Sequence, residues 1–149
     1  MSEQALALLL ERAKDDEQKA ATALHQARLE KENYLRQLQQ IEQYRLDYSR
    51  QLSERGMQGL TASSYSHLQK FLSQLDETLS RQKAAGHHFD HQITRSSEQW
   101  NEVRKQRRSI EWLLEKKQTE RQQRLDRQEQ KLMDEFATLQ FARRMTNQR

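Results

Sequence analysis

Three histidines are the residues of this chain whose type and spacing come closest to a chemical site. His87 and His91 are four residues apart, a spacing that places both imidazoles on one face of a helix and can chelate a divalent metal. His88 and Asp90 lie between them. A tetrahedral site needs further ligands, and the sequence shows no second pair. Solvent-exposed histidines are therefore the better interpretation, and we expect no metal and no cofactor.

Other signatures of catalysis are missing from the sequence. It contains no glycine-rich phosphate loop and no nucleophile elbow, and the lack of cysteine excludes thiol chemistry, disulfides and cysteine-based zinc sites. The hydrophobic fraction of 34% is too low for a thick globular core that would enclose a pocket. We expect a protein that is not an enzyme.

The elements that position the remaining residues are long helices. Proline is absent, and two of the three glycines are Gly56 and Gly59. Glycine favours the end of a helix, and the Thr61, Ser63 and Ser64 that follow are good N-cap residues for a new one. A connection this short requires the second helix to return antiparallel to the first.

The predicted fold class is all-α, with two long helices in an antiparallel coiled-coil hairpin whose second helix is longer and overhangs. The whole chain is expected to form a single coiled-coil domain. Its predicted parts are a helix at about 4–55, a turn at about 56–61, a helix at about 62–142 and a frayed C-terminal tail.

Both helices carry a heptad seam, because apolar residues recur in steps of four and three. The first seam comprises Leu6, Leu10, Ala13, Glu17, Ala20, Leu24, Ala27, Lys31, Tyr34, Leu38, Ile41, Arg45, Tyr48 and Leu52. The second comprises Leu68, Leu72, Leu75, Leu79, Gln82, Gly86, Phe89, Ile93, Ser96, Trp100, Val103, Arg107, Ile110 and Leu114. Gly86 lies within the second seam, where we expect a weak point or mild kink.

The second helix is predicted to extend past the start of the first. Symmetric pairing about the turn places Leu6 opposite roughly residue 112, so the helix beyond about residue 113 would have no partner within the hairpin. That overhang still carries apolar residues: Leu125, Leu132, Met133, Phe136, Leu139, Phe141 and Met145. An exposed apolar stripe on a single helix indicates either fraying or a binding site for another chain, and we favour the second.

The net charge of +4 is unevenly distributed, because the segment after Gly59 carries the basic excess. The excess is concentrated from Arg104 to Arg127, which holds 9 basic and 4 acidic residues. Mixed charge of this kind usually marks a solvated helix face, and the alternatives are an acidic partner surface or, less favoured, nucleic acid.

Large side chains also lie beside the seam near the turn. Gln37 and Tyr44 in the first helix, and Phe71 and Thr78 in the second, occupy g positions of the heptad. With their seam neighbours they form two stripes, Gln37-Ile41-Tyr44-Tyr48 and Phe71-Leu75-Thr78-Gln82. The stripes are either a thick part of the seam or an apolar surface for a partner peptide, and both interpretations stay open.

Several of these segments resemble the FliJ family of flagellar type III export proteins. The resemblance covers nearly the whole chain and rests on the following motifs: Gln40-Ile41-Glu42-Gln43-Tyr44-Arg45-Leu46-Asp47-Tyr48, Gly59, Tyr65 to Leu75 with Phe71-Leu72, Trp100 followed by Arg104-Lys105-Gln106-Arg107, and Lys131-Leu132-Met133-Asp134-Glu135-Phe136-Ala137.

The resemblance implies a stalk-like subunit, similar to the γ stalk of rotary ATPases, that binds and stimulates the hexameric flagellar export ATPase. It further implies contact with the cytoplasmic linker of the export gate membrane protein and escort of export chaperones. The implied gate surface matches Gln37, Ile41, Tyr44, Tyr48, Phe71, Leu75, Thr78 and Gln82, although Thr78 and Gln82 differ from the small apolar residue and the histidine usual there.

The ATPase-facing end is assigned to the overhang together with the N-terminal turns of the first helix. Its predicted binding residues are Leu125, Leu132, Met133, Phe136 and Leu139. The expected location is the cytoplasm, peripheral to the inner-membrane export apparatus. No apolar run approaches the roughly 20 residues of a transmembrane helix, so we expect no membrane insertion. Acidic residues interrupt the basic run, so we expect no nucleic-acid binding. The alternatives are the corresponding stalk of a virulence-type secretion system and a generic coiled-coil scaffold.

Overall fold

The computed structural model describes residues 1–148, which form two helices and, within that range, no strand. Helix α1 is Glu3–Met57 and helix α2 is Ala62–Asn147. The all-α hairpin with a longer second helix is thereby confirmed. Helix α2 continues about five residues past its predicted end, and Arg149 of the predicted tail lies outside the described residues. That the whole chain forms a single coiled-coil domain stays a prediction.

The turn uses Gly59, where Gly56 had been expected to stop the helix. Gly59 has a φ of +89°, a left-handed conformation that suits glycine. The amide of Leu60 donates to the carbonyl of Arg55 at 3.2 Å, the six-to-one bond of a Schellman motif. Gly56 stays inside α1 because the left-handed residue of the motif is Gly59, three positions later.

Serine and threonine cap both helix N-termini. The hydroxyl of Ser2 accepts from the amide of Ala5 at 3.1 Å, at the start of α1. At the start of α2, the Thr61 hydroxyl accepts from the amide of Ser64 at 3.3 Å. Each cap satisfies an amide that has no partner within its helix.

Contacts divide the chain into two compact units. The first unit joins Met1–Glu17 to the part of α2 from Val103 onward, and the second unit is Gln18–Glu102. The buried residues of the first unit are Leu6, Ala13 and Val103, and those of the second are Ala20, Leu24, Ala27, Tyr34 and Leu79. All eight belong to the predicted seams, so heptad position determines which side chains are covered.

Charged residues of the α1 seam are paired with α2 in both units. In the first unit, the guanidinium of Arg107 lies 2.6 Å from the carboxylate of Glu17. In the second unit, Lys31 lies 2.7 Å from Asp90, and Arg45 pairs with Asp76. Because an uncompensated charge in the seam is costly, these pairs favour one helix alignment over its neighbours.

Candidate partner-binding surfaces

The eight residues predicted to bind the export gate form the tip-proximal surface, and all of them lie in the second unit. Four of them, Ile41, Tyr48, Leu75 and Gln82, are half-buried in the seam. The other four, Gln37, Tyr44, Phe71 and Thr78, are exposed. The surface therefore combines half-buried seam residues with exposed residues at g positions, and its binding of a partner stays a prediction.

The structure brings only some of these side chains into contact. The rings of Tyr48 and Phe71 meet edge to face with centroids 4.6 Å apart. Tyr44 is 55% exposed, whereas Phe71, at 39%, is partly covered by that contact. Tyr44 is thus the aromatic group of the surface that is most available to a partner, and Phe71 has a structural role as well.

Two polar members of the tip-proximal surface already have internal hydrogen bonds. The hydroxyl of Thr78 donates to the carbonyl of Gln74 at 2.9 Å, within its own helix. The main-chain carbonyl of Gln82 accepts from the hydroxyl of Tyr34 at 2.6 Å. A partner would meet the methyl group of Thr78 and the side-chain amide of Gln82 at these positions.

The overhang of α2 begins later than predicted. Glu3 pairs with Arg121 at 3.2 Å, and Lys117 donates to the main-chain carbonyl of Met1. The predicted start after about residue 113 is therefore wrong by about eight residues, because that pairing was counted from Leu6, whereas Met1 and Glu3 also contact α2. The overhang in the structure is therefore residues 122–147 of α2.

Every residue of the overhang is exposed within the described chain. The predicted ATPase-facing residues are Leu125, Leu132, Met133, Phe136 and Leu139, and they are between 51% and 66% exposed. At about 100° per residue, Leu125, Leu132, Phe136 and Leu139 lie within about 60° of one another around a straight helix. They form one apolar stripe that nothing in the described chain covers.

The basic run from Arg104 to Arg127 is divided between two faces of α2. Lys117, Arg121 and Arg124, with Arg127, line an open cleft beside Ser2, Glu3 and Gln4. Lys105, Arg108 and Lys116 are exposed on the side where Trp112 projects. Seven of the nine basic residues of this run therefore form two separate groups, whereas the sequence analysis considered the run as one.

Electrostatic coupling in the first unit centres on Arg107. Its guanidinium contacts Glu17 and, at 2.7 Å, Glu111. The hydrogen bond from Arg107 lowers the pKa of Glu17, with Arg104 and Arg108 contributing further through their charges. The two carboxylates raise the pKa of Arg107 in turn. Arg107 therefore links carboxylates of both helices at this layer of the seam.

The histidines do not converge on one site. His87, His88 and His91 are exposed, and the His88 ring lies edge to face on Phe89, with centroids 5.6 Å apart. The carboxylate of Asp90 binds Lys31, which lowers its pKa. Residues 1–148 hold no group of three or more side chains arranged to bind a metal ion.

Some exposed apolar residues were assigned neither to the seams nor to a partner surface by the sequence analysis. They are Leu8, Leu29, Leu35, Leu46 and Trp112, with exposed fractions from 37% to 68%. Their signal was available, because each is a large apolar residue outside the a and d positions. None of the described helices contains a segment long and apolar enough to span a membrane.

Fold and surfaces together define a class of protein: a two-helix coiled-coil hairpin whose exposed apolar stripe and flank suit binding to other chains. The family model described as flagellar FliJ protein matches residues 1–146. The chain belongs to the FliJ family and is a component of the flagellar type III export apparatus. No curated protein and no solved structure matches the chain significantly.

Proposed function

We propose that this protein is a cytoplasmic, stalk-like subunit of the flagellar export apparatus that binds the hexameric export ATPase and raises its activity. It contacts the linker of the export gate through the tip-proximal surface, and it escorts export chaperones. It acts by binding, without catalysis of its own, at the periphery of the inner membrane. The observation that carries the ATPase assignment is the uncovered apolar stripe of the overhang.

The stripe supports this assignment because a single helix in water gains little from exposed apolar residues. Isolated helices are marginal in water, and their stability in proteins comes mainly from packing of an apolar face. Leu132, Phe136 and Leu139 are each at least 62% exposed, so a binding partner would remove much apolar area from water.

Charge around the overhang supports a partner with acidic groups. Four cations, Lys117, Arg121, Arg124 and Arg127, line the cleft at the start of α1, against the carboxylates of Glu3 and Glu120. An ATPase ring whose lumen presents carboxylates at that level, next to apolar residues, would complement this order of charge and stripe.

The test is ATPase stimulation by the variant Leu132→Ser with Phe136→Ser and Leu139→Ser. We expect the variant to keep its helical content and to lose most of its stimulation, because the contact with the ring is removed while α1 and its seam are untouched. The matched control is Leu29→Ser with Leu35→Ser and Leu46→Ser, which also removes three exposed apolar side chains, from the second unit. Equal stimulation by both variants would refute the assignment of the overhang.

Membership of the flagellar family favours the flagellar apparatus over a virulence-type secretion system. The generic scaffold alternative is decided by affinity capture with the full chain as bait. Recovery of the export ATPase supports the stalk, and capture of other proteins without it supports the scaffold.

A further inference from the structure

Trp112 is an exposed aromatic residue that neither the seam nor the proposed partner surfaces use. It lies between the seam residues Ile110 and Leu114, so it projects from the side of α2 that faces away from α1. It is 59% exposed, and the ammonium of Lys116 lies 5.2 Å from its ring centroid. An indole this accessible, beside a cation, marks a contact surface.

The charges around Trp112 are mainly positive. Its exposed neighbours one and two turns along the same face are Lys105, Arg108, Ser109, Glu115, Lys116 and Thr119. Three of them are cations and one is an anion, so the face complements a negative surface. The cations are spaced along the helix axis over about 16 Å, which lets them reach one plane together.

We propose that this face of α2, defined by Lys105, Arg108, Trp112 and Lys116, docks on the surface of an anionic lipid bilayer. Tryptophan is favoured at the membrane–water interface, and lysine and arginine extend their charged ends to anionic headgroups while their aliphatic stems stay near apolar material. The contact is peripheral, because Trp112 is the one large apolar side chain among the four residues that define the face.

The shape of the face favours a bilayer over an acidic protein segment. A peptide helix docks best in a groove between two helices, whereas Trp112 lies on the convex side of a single helix, turned away from α1. A planar interface accepts a convex helix edge, and all four side chains can contact it at once. This inference is independent of the ATPase and gate assignments.

The test measures flotation of the full chain with vesicles of phosphatidylcholine, with and without phosphatidylglycerol. We expect binding only when phosphatidylglycerol is present, and weaker binding at high salt because the charges are then screened. The variant Lys105→Ser with Arg108→Ser and Lys116→Ser should bind at least about tenfold more weakly, since each cation near an anionic surface contributes severalfold. Circular dichroism would verify that the variant stays folded.

The matched control is Lys117→Ser with Arg124→Ser and Arg127→Ser, which removes the same charge from the cleft beside the start of α1. Tryptophan emission gives a second readout. With Trp100→Phe, Trp112 is the remaining tryptophan, and its emission should shift to the blue on vesicles containing phosphatidylglycerol.

Three results would overturn the proposal. One is an equal loss of binding in the control and the target variant, which would show attraction by net charge alone. Another is an unshifted Trp112 emission on bound vesicles. The third is binding of the face to soluble poly-glutamate without any binding to vesicles, which would assign it to an acidic protein.

Discussion

The hydroxyl of Tyr34 explains why a glycine lies in the middle of α2. A Cβ built on Gly86 would lie 2.8 Å from that oxygen, closer than van der Waals contact allows. The same hydroxyl donates to the carbonyl of Gln82 at 2.6 Å, and the Tyr34 ring stacks on Phe89 with centroids 4.7 Å apart. Tyr34 is therefore held in place on three sides, and Gly86 leaves the space that it occupies.

We predict that Gly86→Ala lowers the melting temperature, although alanine is favoured over glycine in a helix by about 1 kcal/mol. The added methyl group displaces the Tyr34 hydroxyl and breaks its hydrogen bond to Gln82. Combining the change with Tyr34→Phe should restore much of the loss, because the next atoms of the ring lie 3.4 Å and 3.5 Å away. Thermal unfolding of both single variants and the double variant measures this coupling.

We also predict that Tyr44 contributes to binding of the export gate. Tyr44→Ala should change the free energy of unfolding by less than about 0.5 kcal/mol, because the residue is exposed, yet it should weaken binding of the gate linker by about tenfold. Phe71→Ala should also lower the free energy of unfolding by about 1 kcal/mol, because the contact between Phe71 and Tyr48 is lost.

Leu46→Ala is the matched control, since Leu46 is 48% exposed on the other flank of α1. Calorimetry with the isolated linker measures binding, and chemical denaturation measures stability. If Tyr44→Ala melts far below the wild-type protein, the aromatic group is packing and its role in binding is refuted.

Ion pairs connect α1 to α2 along the seam. The charged seam positions of α1 are not isolated defects, because each has an opposite charge on α2. A helix that slid by one heptad would separate all of these pairs, whereas an apolar seam would tolerate the shift better. The pairs Glu17–Arg107 and Lys31–Asp90 thus add specificity of alignment within their own units.

We predict that Glu17→Gln lowers stability at neutral pH and that this difference disappears in acid. Because the folded protein lowers the pKa of Glu17, the ionised carboxylate stabilises the fold above its ordinary value of 4.5. That contribution is lost as the pH falls below 4.5 and then through the lower pKa that Glu17 has in the folded protein. Melting temperatures of the wild type and the variant should therefore converge at low pH.

Glu129→Gln is the matched control for this experiment, because Glu129 is an exposed carboxylate of the overhang. It should show little difference from the wild type at any pH. A constant difference between Glu17→Gln and the wild type across the whole pH range would contradict the role given to the ion pair.

The chain combines two paired helices with an unpaired segment of α2. The overhang has no buried residue, whereas the paired parts of both units contain the eight buried ones. A helix without tertiary packing opens readily, so stability is expected to differ greatly along α2.

We predict that amides of residues 122–147 exchange with deuterium much faster than those of residues 20–34, which include four buried seam positions. Binding of the export ATPase should slow exchange in the overhang, because its stripe would then be packed. Exchange followed by mass spectrometry, with and without ATPase, measures both effects. Strong protection of the overhang in the free protein would show that another chain, or a second copy, already covers it.

The helices, the hairpin and the seam follow from the amino-acid sequence alone. Heptad periodicity, the absence of proline and the clustering of glycine with cap residues are local features, and local features are sufficient for elements of this kind. The sequence also showed that apolar residues continue past the paired part of α2, and that Tyr44 and Phe71 lie beside the seam. The resemblance to the FliJ family rests on short sequence motifs and is confirmed by the match of the family model.

Which residues of α1 lie opposite which residues of α2 became known from the folded structure. The pairing depends on the turn, and a shift of the turn by a few residues moves every partner along the other helix. For that reason the end of pairing at Arg121, the contact of Tyr48 with Phe71 and the place of Gly86 under Tyr34 were not readable from the sequence. Periodicity specifies the face on which a side chain lies, but the geometry of the turn specifies what lies opposite it.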